Sequence, residues 1–298
     1  MKRECNALER EGQKELIHNS NWDILIVLDA CRYDYFKRIV GRYLEGELKK
    51  VISSGSHTIP WLKNTFGKRY YEDIVYISAN PFINSKIEIE GFYAKRHFYK
   101  VIDVWNWGWD NRLGTVPPSR VNMAVKMALI KYRNTKRIIV HYLQPHAPYL
   151  LHPLESRGDN IWSDVLDKAI SVKKYIGRVM SWIEKTAIKK HIAIPNRILR
   201  MIYIFRLFLG IRLGPEREFF AKYGLKALRE AYQKNLEVVL KSVSSLLQWK
   251  GFREKNIVIT ADHGELLGDG GFSHPPDVIH PILIEVPWFK VHTRKHLR

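Results

Sequence analysis

Short, continuous apolar runs punctuate this chain at intervals. Ile24-Leu25-Ile26-Val27-Leu28 is unbroken over its whole length and stops at Asp29. That pattern predicts a central parallel strand buried on both faces, not the in–out alternation of a half-exposed one. Similar runs recur at Ile74–Ile77, Arg137–Leu143, Asn256–Thr260 and Pro281–Val286, with weaker ones around Lys50–Ser53 and Lys100–Val104. Between them, Tyr33–Leu44, Ser119–Tyr132 and Leu225–Trp249 place apolar residues at helical spacing. Strands alternating with helices from Ile24 to Val286 predict an α/β fold, a doubly wound, mostly parallel sheet with helices on both faces. No internal repeat or low-complexity linker divides the chain, so residues 1–298 read as one domain.

One stretch breaks the alternation, and a helical insertion is expected at about residues 152–230. Between Lys185 and Arg229 eleven Lys and Arg face only Glu216 and Glu218, a local charge of +9. Within it Ile198, Met201, Ile202, Phe205, Phe208 and Leu209 repeat at helical spacing among Arg197, Arg200, Arg206 and Arg212. This is the pattern of a basic amphipathic helix.

Charge sharpens the picture. The 298 residues carry 49 Lys and Arg against 30 Asp and Glu, a net +19, with 46% hydrophobic residues. A disordered polybasic tail is excluded, and the apolar mass suffices for a sizeable core. Cys5 and Cys31 are too few for a disulfide framework or an all-cysteine zinc site. The N-terminal segment lacks the apolar core of a secretory signal, and no stretch reaches the roughly 18 apolar residues of a membrane span. The expectation is a cytoplasmic protein, peripheral at a membrane if the basic segment docks there. Arginines flanking an apolar stripe fit an anionic membrane surface. A helix packed on the body is the alternative, and nucleic acid is disfavoured because no recognised module accompanies the charge.

Candidate chemistry lies where the strands end, since ligands of open α/β sheets bind beyond the carboxyl ends of the strands. Asp29 follows the first strand. Ser53–Trp61, with Thr58 inside it, follows the weak strand at Lys50–Ser53. Gln144-Pro145-His146-Ala147-Pro148-Tyr149 follows the Arg137–Leu143 strand. Asp262-His263-Gly264-Glu265 follows the Asn256–Thr260 strand, with His274 further on. Two carboxylates and an imidazole suit a borderline divalent ion such as Zn²⁺ or Mn²⁺, with Mg²⁺ and Ca²⁺ left open. Such an ion lowers the pKa of a hydroxyl and stabilises charge on phosphoryl or sulfuryl oxygens. Singly, each residue is ambiguous: a lone strand-end Asp is commonly a helix cap. Their coincidence at one edge carries the reading.

Ile257–Glu265 resembles the C-terminal metal motif of the alkaline phosphatase/sulfatase superfamily, and Ile26–Arg32 resembles the strand that opens that fold with a metal-binding Asp. Thr58-Ile59-Pro60-Trp61, preceded by Ser54-Gly55-Ser56-His57, is similar to the nucleophile segment of prokaryotic sulfatase-like proteins. His141 with Pro145–Tyr149 resembles a histidine-bearing strand end of the same proteins. The resemblance runs from Ile24 to Phe289. It implies an alkaline-phosphatase-like fold, metal ligation by Asp29, Thr58, Asp262 and His263, and Thr58 as nucleophile. It implies substrate-binding or second-metal roles for His146 and His274, and contact of Arg32 with the nucleophile or the substrate anion.

The departures narrow this. Formylglycine sulfatases carry Cys or Ser where this chain has Thr58, and a threonine cannot be oxidised to the aldehyde hydrate. Ala30 stands where many sulfatases have a second Asp. Gln144 and His146 replace the Asp-x-x-x-His of two-metal members, which favours a single-metal enzyme. The expected activity is hydrolysis or group transfer at an anionic phosphate ester through Thr58. A sulfuric ester hydrolase and a non-catalytic, basic membrane-surface binding protein are the alternatives. Cys31 followed by Arg32 lacks the spacing of a cysteine phosphatase and reads as a packed side chain.

Overall fold

The computed structural model describes residues 11–133, 137–151, 182–190, 192, 194–208, 213–275 and 278–293. Its centre is β1 (Ile24–Leu28), whose five residues are all buried, as an uninterrupted apolar run requires. β1 pairs in parallel with β5 (Arg137–Tyr142) on one side and β6 (Ile257–Thr260) on the other. Beyond β5 lie β3 (Tyr71–Ser78) and β4 (Phe98–Asp103), also parallel. Beyond β6, the antiparallel β9 (Glu285–Val291) leads to β2 (Gly46–Ile52). The seven-stranded order is β2-β9-β6-β1-β5-β3-β4, a mostly parallel sheet flanked by helices. Leu266–Leu267 (β7) and Phe272–Ser273 (β8) form a separate small hairpin.

The helices are α1 (Gln13–Asn19), α2 (Tyr33–Ile39), α3 (Thr58–Phe66), α4 (Val104–Gly108), α5 (Pro118–Lys131), residues 182–189, a basic helix Asn196–Phe208 and a long helix Pro215–Leu247. The long helix packs on α2, α5 and the basic helix, and its dihedrals leave the helical region at Gly224. Within the range of the expected insertion, residues 182–189, Asn196–Phe208 and the start of the long helix are helical, while 152–181, 191, 193 and 209–212 lie outside the described residues. The apolar run at Pro281–Val286, expected as one strand, divides. Pro281–Ile284 is a short helix, and β9 starts at Glu285. Pro281 lacks an N–H and sits in the first turn, where none is needed, while the His280 ring accepts a hydrogen bond from the Ile282 N–H.

That short helix presses on the metal-motif loop. The Gly264 N–H donates to Leu283 O at 2.8 Å, and a β-carbon at Gly264 would stand 2.0 Å from Ile282 O. Backbone faces backbone there, so a side chain cannot be absorbed by a rotamer change. Gly264→Ala is therefore expected to lose about 1–3 kcal/mol in urea denaturation, the usual cost of forcing atoms into packed space. An unchanged midpoint and slope would show that the loop yields freely.

Candidate active site

The register of the central strands builds the site. β1 and β6 run side by side with Val27 opposite Thr260, and β1 and β5 with Leu28 opposite Tyr142. Asp29 and Asp262, each just past its strand, are brought together by that alignment, with His141 on the neighbouring β5. All three side chains are buried, and one ligand atom from each lies within 4.8 Å of the others. Thr58 arrives from β2 as the first residue of α3. The preceding His57 is extended, Pro60 sits in the first turn where its missing N–H costs nothing, and Ile59, Trp61, Leu62 and Phe66 anchor the helix in the core.

Thr58 Oγ1 donates to Asp262 Oδ2 at 2.8 Å and lies 3.4 Å from His263 Nε2. His263 Nε2 is 3.3 Å from Asp262 Oδ2 and 3.7 Å from Asp29 Oδ1. Asp29, Thr58, Asp262 and His263 thus converge, and they are joined by His141, noted in the sequence only as part of a histidine-bearing strand end, and by Asn80, which the sequence did not single out. Asn80 Nδ2 donates to Asp29 Oδ2 at 2.7 Å. Tyr76 Oη and His141 Nδ1 share a hydrogen bond of 2.8 Å, while His141 Nε2, 3.8 Å from Asp262 Oδ2, is buried without a hydrogen-bond partner.

Burial and like charge divide the protons unevenly. Desolvation pushes the Asp29 carboxyl well up, and the Asp262 charge adds to it. Burial acts the same way on Asp262. There His263, His141 and the hydrogen bonds from Thr58 and the Ala30 N–H outweigh it and hold that carboxyl low. Burial brings His141 and His263 down to about 4 despite the pull of Asp262. Their imidazoles are therefore neutral at pH 7, the form that ligates metal. An orphaned, buried imidazole nitrogen facing two carboxylates fits a divalent ion.

His146 and His274 stand beside this group, their ring centroids 5.1 Å apart and His274 4.4 Å from His263. The Gln144 amide turns away, donating to Thr115 Oγ1 and Val116 O. Arg32 is engaged by carboxylates rather than by Thr58. It pairs with Asp34 at 2.9 Å and Asp269 at 2.6 Å and reaches Glu265 O. Its observed work is to fasten the Gly264–Gly271 loop beside the end of β1. Cys31 is fully buried, and burial pushes its thiol up, as a packed side chain requires.

The long helix holds the strand-end loops in place. Tyr232 Oη donates to Ala30 O at 2.7 Å and accepts from the Arg32 N–H at 2.9 Å. Ala30 has φ 58°, a left-handed turn that drops Asp29 into the site. One turn on, Asn235 Nδ2 donates to the carbonyls of Pro145, His146 and Pro148, and its Oδ1 accepts from the Leu150 N–H. Neither residue announces itself in sequence, because a polar side chain within a long amphipathic helix reads as surface.

No family model matches the sequence, and no curated protein matches it. Solved structures do resemble the fold. Phosphonate monoester hydrolase of Agrobacterium radiobacter aligns with a TM-score of 0.50 at 11% identity, over 93% of this chain and 69% of that one. The C-terminal periplasmic domain of EcEptC from Escherichia coli aligns at 0.50 and 12% identity, over 92% of this chain and 74% of that one. The integral membrane lipooligosaccharide phosphoethanolamine transferase A from Neisseria meningitidis gives 0.46 and 13%, over 93% of this chain. This chain spans 50% of that protein's length.

Tyr232→Phe isolates the support given by the long helix. It leaves one buried N–H and one buried C=O unpaired while keeping the ring, which packs edge-on to Tyr35. The expected loss is about 1–3 kcal/mol, read from the denaturation midpoint. A stability equal to the parent's would mean that water satisfies both groups.

Proposed function

We infer, for a chain with the fold of the alkaline phosphatase/sulfatase superfamily, that it is a metal-dependent enzyme that hydrolyses or transfers a phosphate ester through Thr58. The observation that carries this reading is the Thr58 hydroxyl, donated to Asp262 Oδ2 at 2.8 Å within a buried group of Asp29, His141 and His263. Asp29, Asp262 and His263, with His141, would hold the ion, of which Zn²⁺ and Mn²⁺ suit the mixed oxygen and nitrogen donors best. When bound, it supplies Lewis acidity that lowers the pKa of the hydroxyl and offsets charge on the phosphoryl oxygens.

The chain's own residues supply the rest. Thr58 Oγ1 forms a bond to phosphorus as the bond from phosphorus to the leaving oxygen breaks. Its proton passes toward the ionised Asp262 carboxylate that already accepts it. The first N–H groups of α3 are free of intrahelical partners and suit the oxyanion that develops. His146 and His274 flank the other side of the site, as proton donors to the leaving group or as ligands. Water, or the hydroxyl of an acceptor in a transferase, then releases the group from Thr58. The phosphate ester takes precedence over a sulfate ester because Thr58 is used as it stands, without conversion to an aldehyde.

Thr58→Ala is expected to cut turnover at least about 10³-fold, as loss of a nucleophile does, while bound metal stays nearly intact. His263→Ala should lose both. Chromogenic phosphate monoesters, diesters and sulfate esters, assayed with Mn²⁺, Zn²⁺ and Mg²⁺, give the rates, and elemental analysis gives the metal. Near-normal activity in Thr58→Ala would sink the covalent scheme.

The proposal includes a cytoplasmic enzyme that meets its ester at an anionic membrane face. No described helix is long and apolar enough to cross a membrane. On the basic helix, Leu199 and Tyr203 turn inward, whereas Ile198, Met201, Ile204 and Phe205 are 48–71% exposed. Arg197, Arg200, Lys189 and Lys190 are exposed with them. Basic side chains near an anionic leaflet contribute about 1 kcal/mol each, and the apolar row can enter the headgroup boundary. Co-sedimentation should show binding to anionic but not neutral vesicles, weakened by salt and by Met201→Glu with Phe205→Glu. No binding at low salt would reject the membrane.

A further inference from the structure

A phosphate ester brings negative charge to this edge, and the arginines whose charges reach Glu265 are occupied elsewhere. Arg32, expected from the sequence to touch the anion, is engaged by Asp34 and Asp269. Arg217 is held by Glu184 and Phe272 O. Donors to the phosphoryl oxygens must then come from other groups, and imidazoles crowd the place. His263 Nδ1 is taken by Gly264 O, and its Nε2 faces Thr58 and the two aspartates. His146 Nδ1 meets Ala147 O, while its Nε2 faces Glu216 Oε1 at 3.4 Å. His274 Nδ1 is 3.2 Å from Glu265 Oε2.

His57 differs from these three. Its Nδ1 is buried and has no hydrogen-bond partner among the described residues. A buried polar nitrogen left unpaired is costly and calls for a partner. The residue precedes α3, and its carbonyl accepts from the Trp61 N–H at 3.1 Å, but its side chain makes no capping bond. The backbone starts the helix while the ring serves nothing there. That ring lies 5.3 Å from the ring of His274 and 6.1 Å from that of His263, in nearly parallel planes. On its other side Phe82 meets it edge-on at 6.3 Å. Phe82 is 45% exposed, so His57 stands between the buried centre and the rim. Its outer neighbour is firmly placed. Asn80 Oδ1 accepts from the Phe82 N–H at 2.9 Å, and the same amide donates to Asp29.

We propose that His57 is a further catalytic residue, whose imidazole N–H donates to a non-bridging phosphoryl oxygen while Thr58 Oγ1 bonds to phosphorus and the bond to the leaving oxygen breaks. It rests on the threonine-nucleophile reading above. In an in-line displacement the leaving oxygen departs opposite Thr58, and charge spreads over the three equatorial oxygens. A side chain adjoining Thr58 in the chain and lying beside His263 is placed for those oxygens, together with the first N–H groups of α3. The His57 proton stays on its nitrogen throughout. Neutral imidazole and imidazolium both carry an N–H, so the role does not depend on the charge of the ring. His57 thereby takes over the contact with the anion that the resemblance gave to Arg32.

Orthovanadate, which adopts the five-coordinate geometry of a transferring phosphoryl group, is the probe, with Zn²⁺-loaded full-length protein. His57→Phe keeps a ring to pack on Phe82 and removes the donor. His57→Asn gives up the ring and returns an amide N–H near the place of Nδ1. Loss of one oxyanion donor costs about 10²–10³-fold in kcat. His57→Phe is therefore expected to bind vanadate about a hundredfold more weakly by calorimetry, and to lose kcat on the best chromogenic ester with KM little changed. His57→Asn should recover most of both, and elemental analysis should find the parent's zinc content in each variant. Parent-like behaviour of His57→Phe, or losses of equal size in the two variants, would make His57 a packing residue and overturn the proposal. Loss of zinc from His57→Phe would overturn it too, since the ring would then support the ion. A Thr58→Ala protein as active as the parent sinks the underlying reading separately, and the proposal with it.

Discussion

Two carboxylates are forced together by strand register, and much of the molecule answers to that. Asp29 and Asp262 follow adjacent parallel strands whose pairing ends with Val27 opposite Thr260, and both are buried. Burial and the Asp262 charge push the Asp29 carboxyl well up, so the pair holds its protons unevenly instead of carrying two full charges. The surroundings reduce their repulsion without cancelling it. Thr58, the Ala30 N–H and the His263 N–H donate to Asp262, while Asn80 donates to Asp29. None of these donors carries a full positive charge, and the nearby imidazoles are held neutral. The fold therefore keeps a dehydrated pair of carboxyls at the edge of its sheet, one held low and one pushed up, which a divalent cation would draw into the fully ionised form.

The long helix makes that centre possible. Parallel strands deliver residues to one edge but do not fix the loops that follow them. Tyr232 and Asn235, one turn apart, fasten the turn after β1 and the loop after β5. Arg229 bonds Leu267 O and Asp269, and Asp269 in turn holds Arg32. Three strand-end loops are thus tied to one helix by side-chain hydrogen bonds to backbone and carboxylate. The same helix, beyond the break at Gly224, carries Glu216 to His146.

The apolar runs gave the strands away because a strand buried on both faces admits no polar alternation. The residues that end them, Asp29 and Asp262, were legible for the same reason: a charge that abruptly closes an apolar run needs explaining. His141 was harder to see as a donor, since it lies within an apolar run and the residues after it drew the attention. Asn80, Tyr232, Asn235 and Glu216 left no local signal. Each matters through a partner 50 to more than 200 positions away, a separation that periodicity does not register. Glu216 was also hidden by its neighbours, being counted as one of two acids in a basic stretch. The strand expected at Pro281–Val286 misled because a proline and three apolar residues fit a helical turn as well as a strand start, and the turn is the form that meets the Gly264 N–H through Leu283 O.

The basic segment from residue 182 to Glu218 has two faces with opposite chemistry. Toward the body, Glu184 accepts from Tyr203 Oη at 2.7 Å and pairs with Arg217, which also bonds Phe272 O in the hairpin before His274, while Arg206 Nε is buried without a hydrogen-bond partner. Tyr203 packs edge-on against Phe220 and Phe272. A helix whose only task was to fill space on the sheet would place its largest apolar side chains on that inner face. Instead Met201 and Phe205 point outward among arginines, while an ion pair and a tyrosine hydroxyl occupy the interior. Polar groups inside fix the position of the segment, since their partners are few and directional, whereas apolar groups outside leave it free to meet a surface. The arrangement ties the exposed face, through Arg217 and its neighbour Glu216, to the loop that carries His274 and to His146.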